Sequence, residues 1–334
     1  MADADLVLEG GGVKGTGLVG AVSALADYKD SYTLHRIAGT SAGAIVAALL
    51  AAGFTVDELR QVMMDLDFSK FEDESPLFRH FKRLGEGFGL IFQEGLFRGD
   101  FMHSWIADTL ASKNVHTWGD LRDKDPNSSL PQEEQYKLVV IVSDVSRGRE
   151  LRLPWDYQGL CGTPPDDQPV ADAVRASASI PFFFRPFHMK VNPAMTKGRA
   201  EILCTDGGML SNFPIALFDR TDGREPRWPT LGIKLSARRQ VQDDDWDPDP
   251  GPLELAKSLI ATMTNAHDQL HLDDESFTSR TIFVDTTGYK STNFQLTNDD
   301  KVALYDKGKQ AGADFLTGWD WGQWKAKWRP AGPG

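Results

Sequence analysis

Cysteine is scarce: Cys161 and Cys204 are the only two in 334 residues. That excludes a disulfide framework, and reduced thiols in an intracellular protein fit better. Cys204 stands in an apolar run and is expected to be a small buried hydrophobe. No stretch approaches the roughly 20 apolar residues of a membrane span, so any membrane contact is expected to be peripheral. The start, Met1 to Asp5, is acidic and leads straight into Leu6-Val7-Leu8. With no basic n-region and no cleavage site, no Sec signal is visible. A cytoplasmic location is expected, with peripheral membrane association and non-Sec export as an effector both left open. Positive charge is also short, 36 Lys and Arg against 48 Asp and Glu, for a net charge of −12. This balance serves solubility and argues against nucleic-acid binding, which needs a basic footprint. It equally disfavours simple electrostatic docking to anionic lipid, unless a local basic patch supplies it.

What is present is a chain of alternating apolar strands and helices, the signature of an α/β fold. Leu6 to Glu9 reads as a short buried strand. A glycine run follows, and then a helix of small and apolar residues from about Gly15 to Tyr28. His35 to Ala38 is a second strand, and Ala44 to Ala52 a buried helix ended by Gly53. Helices are expected at Val56 to Leu66, Asp100 to Ala111, Ala171 to Ser179 and Asn298 to Leu316. Tyr136 to Ser143, Ile202 to Thr205, Thr230 to Leu235 and Thr281 to Asp285 are further strands. Phe81 to Phe97 carries glycines and phenylalanines without a period and suits either a flap or an ordinary connection. Gln242 to Pro252 is an acidic, proline-bearing loop. Its Asp245-x-Asp247-x-Asp249 imitates a calcium loop, but Pro250 and Ala256 stand where Gly and Glu are needed, so no calcium site is expected.

Three short motifs carry chemistry. Gly39-Thr40-Ser41-Ala42-Gly43 fits G-x-S-x-G, in which a serine on a sharp strand-to-helix turn needs small neighbours and meets the positive end of a helix. Glu9-Gly10-Gly11-Gly12-Val13-Lys14-Gly15 follows a strand, and its glycines let backbone N–H groups converge on an oxyanion or a phosphate. It lacks the G-K-[ST] ending of a P-loop, and its glycine spacing is poor for dinucleotides. Lys14 either adds positive charge near the site or serves a structural role. Asp206-Gly207-Gly208 ends a strand, followed by Asn212 and Pro214. Alone it reads better as a plain Asx-turn.

In this order the three motifs resemble the patatin-like phospholipases. Gly95-Leu96-Phe97-x-Gly99-Asp100 and Arg175-Ala176-Ser177-x-Ser179-Ile180-Pro181 extend the resemblance, which covers the chain from about Leu6 to Leu316. It implies a three-layer α/β/α fold with a mostly parallel central sheet. It further implies a Ser–Asp dyad without histidine: Ser41 as nucleophile, Asp206 as base, and the amides of Gly10, Gly11 and Gly12 as oxyanion hole. Lys14, Gly15, Gly39, Gly43, Gly207 and Gly208 complete the motifs. The implied activity is phospholipase A-type cleavage of acyl esters, with phospholipid or another acyl lipid as substrate. No metal or cofactor is implied, and there is room for a protein or small-molecule activator. An acyltransferase or thioesterase on the same dyad, or a silent lipid- or partner-binding member, are the alternatives.

His267 and His271 test a Ser–Asp–His triad, but they lie in what reads as a solvated acidic helix face. Their i, i+4 spacing suits a metal pair, yet no H-E-x-x-H accompanies it. Phe182-Phe183-Phe184 and the Phe81 to Phe97 stretch are candidate walls of an acyl pocket, or ordinary core. Residues 1–318 are expected to form one domain and 319–334 a tail. In that tail Trp319, Trp321, Trp324 and Trp328 alternate with Lys325, Lys327 and Arg329. Such a pattern suits a membrane interface, a partner groove, or packing onto the domain.

Overall fold

The computed structural model describes residues 2–28, 31–73, 97–128, 130–236, 262 and 274–329. Residues 81–96 of the expected flap, Gly95 and Leu96 among them, lie outside the described residues, as do the Gln242 to Pro252 loop, His267 and His271.

An eight-stranded sheet forms the centre. Five strands run parallel in the order β3 (Leu138–Asp144), β2 (Tyr32–Thr40), β1 (Ala2–Leu8), β7 (Thr230–Lys234) and β8 (Thr281–Phe283). Three antiparallel strands extend it: β4 (Arg149–Leu153) and β6 (Glu201–Asp206) pair with β3, and β5 (Phe187–Lys190) pairs with β6. The sheet is thus mixed and mostly parallel, within the expected three-layer α/β/α fold. Strands β4 and β5 were not expected from the sequence. Both are short edge segments, RELRL and FHMK, with too few apolar positions to stand out from loops.

Strand β1 starts four residues before the expected Leu6, because its polar Asp5 is buried. Arg36 of β2 grips the Asp5 carboxylate through Nε at 3.0 Å and through Nη2. Burial still raises the Asp5 pKa, although the guanidinium opposes this. The two sheet faces have separate cores. Leu6 and Leu8 join the core under α1 (Gly15–Asp27), α2 (Ala42–Ala51), α3 (Val56–Asp65), α4 (Asp100–Ala111) and α5 (Val170–Ser177). Val7, Ala38, Val139 and Ile141 face Phe213, Ile215 and Phe218 on the other side. This is the period-2 alternation of a sheet covered on both faces.

The long α6 (Asn298–Gly318) starts at a capping box between Thr297 and Asp300 and packs on α1. A Cβ on Gly20 would stand 1.9 Å from the carbonyl oxygen of Tyr305, and one on Gly308 2.0 Å from that of Gly17. The two helices can therefore meet only through these glycines.

The C-terminal segment forms a further helix, α7 (Trp321–Trp328), against the body. Trp324 is buried and donates Nε1 to the carbonyl of Ser276 and to Ser279 Oγ, at 3.2 and 3.0 Å. Lys327 pairs with Glu275 at 3.1 Å, and Lys325 with Glu225. Trp324 is buried and Trp319, Trp321 and Trp328 are half-buried, so the segment packs onto the domain.

Candidate active site

Strand β3 assembles the site. Its residues 140–144 pair with β4 along one edge, so β2 and β6 must share the other. They meet there end to end: Thr40 of β2 pairs with Ile141, and Asp206 of β6 pairs with Val142. Two strands running in opposite directions thus deliver residue 41 and residue 206 to the same point.

Ser41 makes the turn from β2 into α2 with φ 54 and ψ −122. A non-glycine residue at positive φ is strained by on the order of 1–3 kcal/mol and persists only where its surroundings over-determine it. Here Ser177 does so. Its Oγ accepts the Ser41 N–H at 2.8 Å and donates to the Ile141 carbonyl at 2.6 Å. The neighbouring glycines are needed for space. A Cβ on Gly39 would lie 2.2 Å from the Gly43 carbonyl oxygen, and one on Gly43 2.4 Å from that of Leu8.

Ser41 Oγ donates to Asp206 Oδ2 at 2.6 Å. Asp206 Oδ1 accepts the Gly208 N–H at 2.8 Å, and the Asp206 N–H donates to the Ser179 carbonyl at 2.9 Å. Ser41 is 5% exposed and Asp206 7%. Burial pushes the Asp206 pKa up to about 6, against the lowering effect of the Ser41 and Gly208 hydrogen bonds. A carboxylate so desolvated is a better base than one in water. No described histidine bonds to either residue, and no described cation pairs with Asp206. Among the described residues no group of three or more metal-ligating side chains occurs.

The glycine loop stands next to the serine: a Cβ on Gly10 would be 3.1 Å from Ser41 Cβ. Its amides are not equivalent. Gly10 N–H donates to the Asn212 carbonyl at 3.2 Å and is therefore already hydrogen-bonded in this structure. Gly11 and Gly12 N–H have no acceptor among the described residues. Gly12 has φ 56, and a Cβ there would lie 2.0 Å from the Ser291 carbonyl oxygen. The Ala42 N–H, at the first position of α2, likewise has no described acceptor and opens beside Ser41. Gly15 begins α1 facing Ala42, and Gly207 packs on the Ile141 carbonyl.

A buried ion pair, Glu9 with Lys234, backs the loop. Glu9 also accepts from the Leu235 N–H and from Asn212 Nδ2, the latter at 3.3 Å. Lys14 does not line the cavity beside Ser41. Burial lowers its pKa, Glu9 opposes the shift and Lys234 adds to it.

Beside Ser41 a narrow cavity of about 30 Å³ is lined by Ile45, Met63, Phe71, Met102, Phe184 and Phe294 among others. It has room for roughly two waters, and its walls are apolar apart from Ser41. Of the Phe182 to Phe184 run, Phe184 is the residue that lines it. Arg175, the buried arginine of the 175–181 segment, donates Nη1 to Ser179 Oγ at 2.5 Å and Nε to the Gly99 carbonyl at 2.9 Å. It thereby ties the strand-end support of Asp206 to the start of α4. Desolvation lowers its pKa to about 10. The sequence singled out Ser177, Asn212 and Arg175 as motif members but assigned them no role, because each acts on a partner more than 70 residues away.

A strained serine at a strand-to-helix turn, bonded to a buried strand-end aspartate on a mostly parallel α/β sheet, is the arrangement of a hydrolase site. Residues 6–219 match the patatin-like phospholipase family, and the chain belongs to it; the family's members are lipid acyl hydrolases. The chain is 36% identical over 315 residues to the uncharacterized protein YqhO of Bacillus subtilis (strain 168), covering 94% of this chain and 98% of that one. It is 25% identical over 249 residues to the probable lipid hydrolase 463L of Invertebrate iridescent virus 6, covering 72% and 67%. Among solved structures, VipD from Legionella pneumophila shares the fold, with a TM-score of 0.51 and 17% identity over 94% of this chain and 66% of that one.

Proposed function

We propose that this protein is a phospholipase A-type lipid acyl hydrolase working through a Ser41–Asp206 dyad and an acyl-serine intermediate. The single observation that carries the reading is the 2.6 Å bond from Ser41 Oγ to a buried Asp206 that has no ion-pair partner among the described residues. As Oγ attacks the ester carbonyl, its proton passes to Asp206 Oδ2. The oxyanion is met by the amides of Gly11, Gly12 and Ala42. Collapse expels the lysolipid alkoxide, which takes the proton from Asp206, and leaves an acyl ester on Ser41. A water then gives its proton to Asp206 and attacks the acyl carbon. Ser41 leaves with that proton, and a fatty acid is released. The apolar cavity beside Ser41 supports an acyl chain rather than a polar group at this position.

The test is fatty-acid release from mixed phospholipid vesicles by the natural protein, Ser41→Ala and Asp206→Asn. Release by the natural protein alone supports the reading. Release that survives Ser41→Ala overturns it. Silence of the natural protein is followed by a repeat with added cell extract, in case an activator is needed.

A further inference from the structure

Among the described residues four large hydrophobic side chains are exposed, Val145, Met195, Leu203 and Val302. Val302 sits alone on α6. The other three belong to one region, formed by the β3–β4 turn and the β5–β6 hairpin. The Val145 N–H donates to the Leu203 carbonyl at 3.0 Å, joining turn to hairpin, and Met195 stands in the connection from β5 to β6. On the open face of the hairpin Leu203 pairs with His188, and Lys190 with Glu201. The exposed charges here run against the rest of a chain of net charge −12. Arg149, Lys190, Lys197 and Arg199 are exposed and make no ion pair with a described residue, whereas Glu201 is the exposed carboxylate of the hairpin and bonds to His188 at 3.2 Å.

Val142 is the β3 residue that pairs with Asp206. Val145, three residues on, therefore stands about 10 Å beyond the dyad at the rise of a strand. Leu203 precedes Asp206 by three residues on β6 and is about as far away. Phe184 of the cavity wall leads within three residues into Phe187 of β5. The patch therefore flanks the end of the sheet at which Ser41 lies. The tryptophan-bearing α7 is at the other end, where Trp321 and Trp324 line a pocket with Asp5 and Thr230, near the starts of β1 and β7.

We propose that the β3–β4 turn and the β5–β6 hairpin form the surface by which this protein docks on anionic phospholipid bilayers, with Val145, Met195 and Leu203 entering the headgroup layer and Arg149, Lys190, Lys197 and Arg199 pairing with lipid phosphates. Apolar side chains ringed by cations are what an interfacial site presents, and cations supply the attraction to an anionic leaflet. An acidic chain repelled by such a surface as a whole is oriented by this basic patch, which sets Ser41 about 10 Å from the interface. The proposal takes its substrate from the lipid-hydrolase reading.

The experiment keeps the two apart. Cosedimentation of the full chain with phosphatidylcholine–phosphatidylglycerol vesicles and with phosphatidylcholine vesicles, at low and raised salt, reads docking. Hydrolysis of p-nitrophenyl butyrate in solution reads the dyad. The expected result is salt-sensitive binding to the anionic vesicles only. Lys190→Gln/Lys197→Gln/Arg199→Gln should reduce it on the order of 100-fold, at roughly five-fold per cation. Met195→Ser/Leu203→Ser should weaken binding at both salt concentrations, and both sets should leave butyrate hydrolysis unchanged. Absence of vesicle binding in a protein that hydrolyses the soluble ester overturns the docking surface and leaves the dyad standing. Binding unaffected by either set overturns it as well. Patch-dependent binding without ester or lipid hydrolysis, with cell extract added as well, keeps the surface and removes the hydrolase reading.

Discussion

Thr40 and Asp206 face consecutive residues of one strand, Ile141 and Val142. Because β2 and β6 arrive from opposite directions along the same edge of β3, the residue after Thr40 meets the Asp206 carboxylate head-on. The 165-residue separation of Ser41 and Asp206 is closed by backbone pairing rather than by the two side chains.

Ser41→Ala should abolish ester hydrolysis, because no other described nucleophile bonds to Asp206. Asp206→Asn should lower kcat by about 10²–10⁴, the usual worth of a positioned general base. Single-turnover assays with a p-nitrophenyl ester measure both. An Asp206→Asn enzyme with natural kcat rules out the base role.

Activity should fall below a pH of about 6, where Asp206 takes up its proton. The linkage to stability runs the other way. A carboxyl whose folded pKa is raised favours the folded state when protonated; that contribution is full below the unfolded pKa of about 3.9 and is lost as pH rises through about 6. Asp206→Asn should therefore be more stable than the natural protein at pH 8, by on the order of 1–3 kcal/mol. The gap should close toward pH 4. A gap that stays constant with pH contradicts the buried-charge account.

Ser177→Ala removes the acceptor that holds the strained Ser41 amide. The expected cost is roughly 1–3 kcal/mol of stability for the stranded N–H. A fall in kcat of about ten-fold or more should accompany it, with KM little changed, as displacement of a reacting atom produces. Ser177→Thr, which keeps the hydroxyl, should recover part of the rate. Equal loss in kcat and KM for both variants points to general misfolding instead.

Ile45→Phe should fill the cavity beside Ser41. Longer p-nitrophenyl esters should lose turnover while the acetate keeps most of it. Met63→Ala should favour longer chains, at about 2–5 kcal/mol of stability. A chain-length profile that neither variant shifts places the acyl chain elsewhere.

Lys234→Met strands the Glu9 charge behind the glycine loop. Breaking a buried pair from one side costs roughly 3–5 kcal/mol, and the loss should appear as a lower melting temperature and slower hydrolysis together. Glu9→Gln/Lys234→Met, which removes both charges, should regain much of the stability.

The parallel strands, the helices and the three glycine-rich motifs were legible from sequence because their causes are local. Apolar runs, helical spacing, and a serine between small residues leave a pattern within ten positions. The sequence alone thus determined the α/β class, the family resemblance and the identity of Ser41 and Asp206 as candidates. It missed β4 and β5, which are too short and charged to show a period, and it started β1 late because the burial of Asp5 depends on Arg36 across the sheet. Only the tertiary structure decided that Ser177 holds the Ser41 amide, that Asn212 occupies the Gly10 N–H, and that the tryptophan tail packs on the body. It also decided that four cations gather beside three exposed hydrophobics in an acidic chain. Each of these depends on which segments the sheet order brings together, and no composition or spacing along the chain encodes that contact.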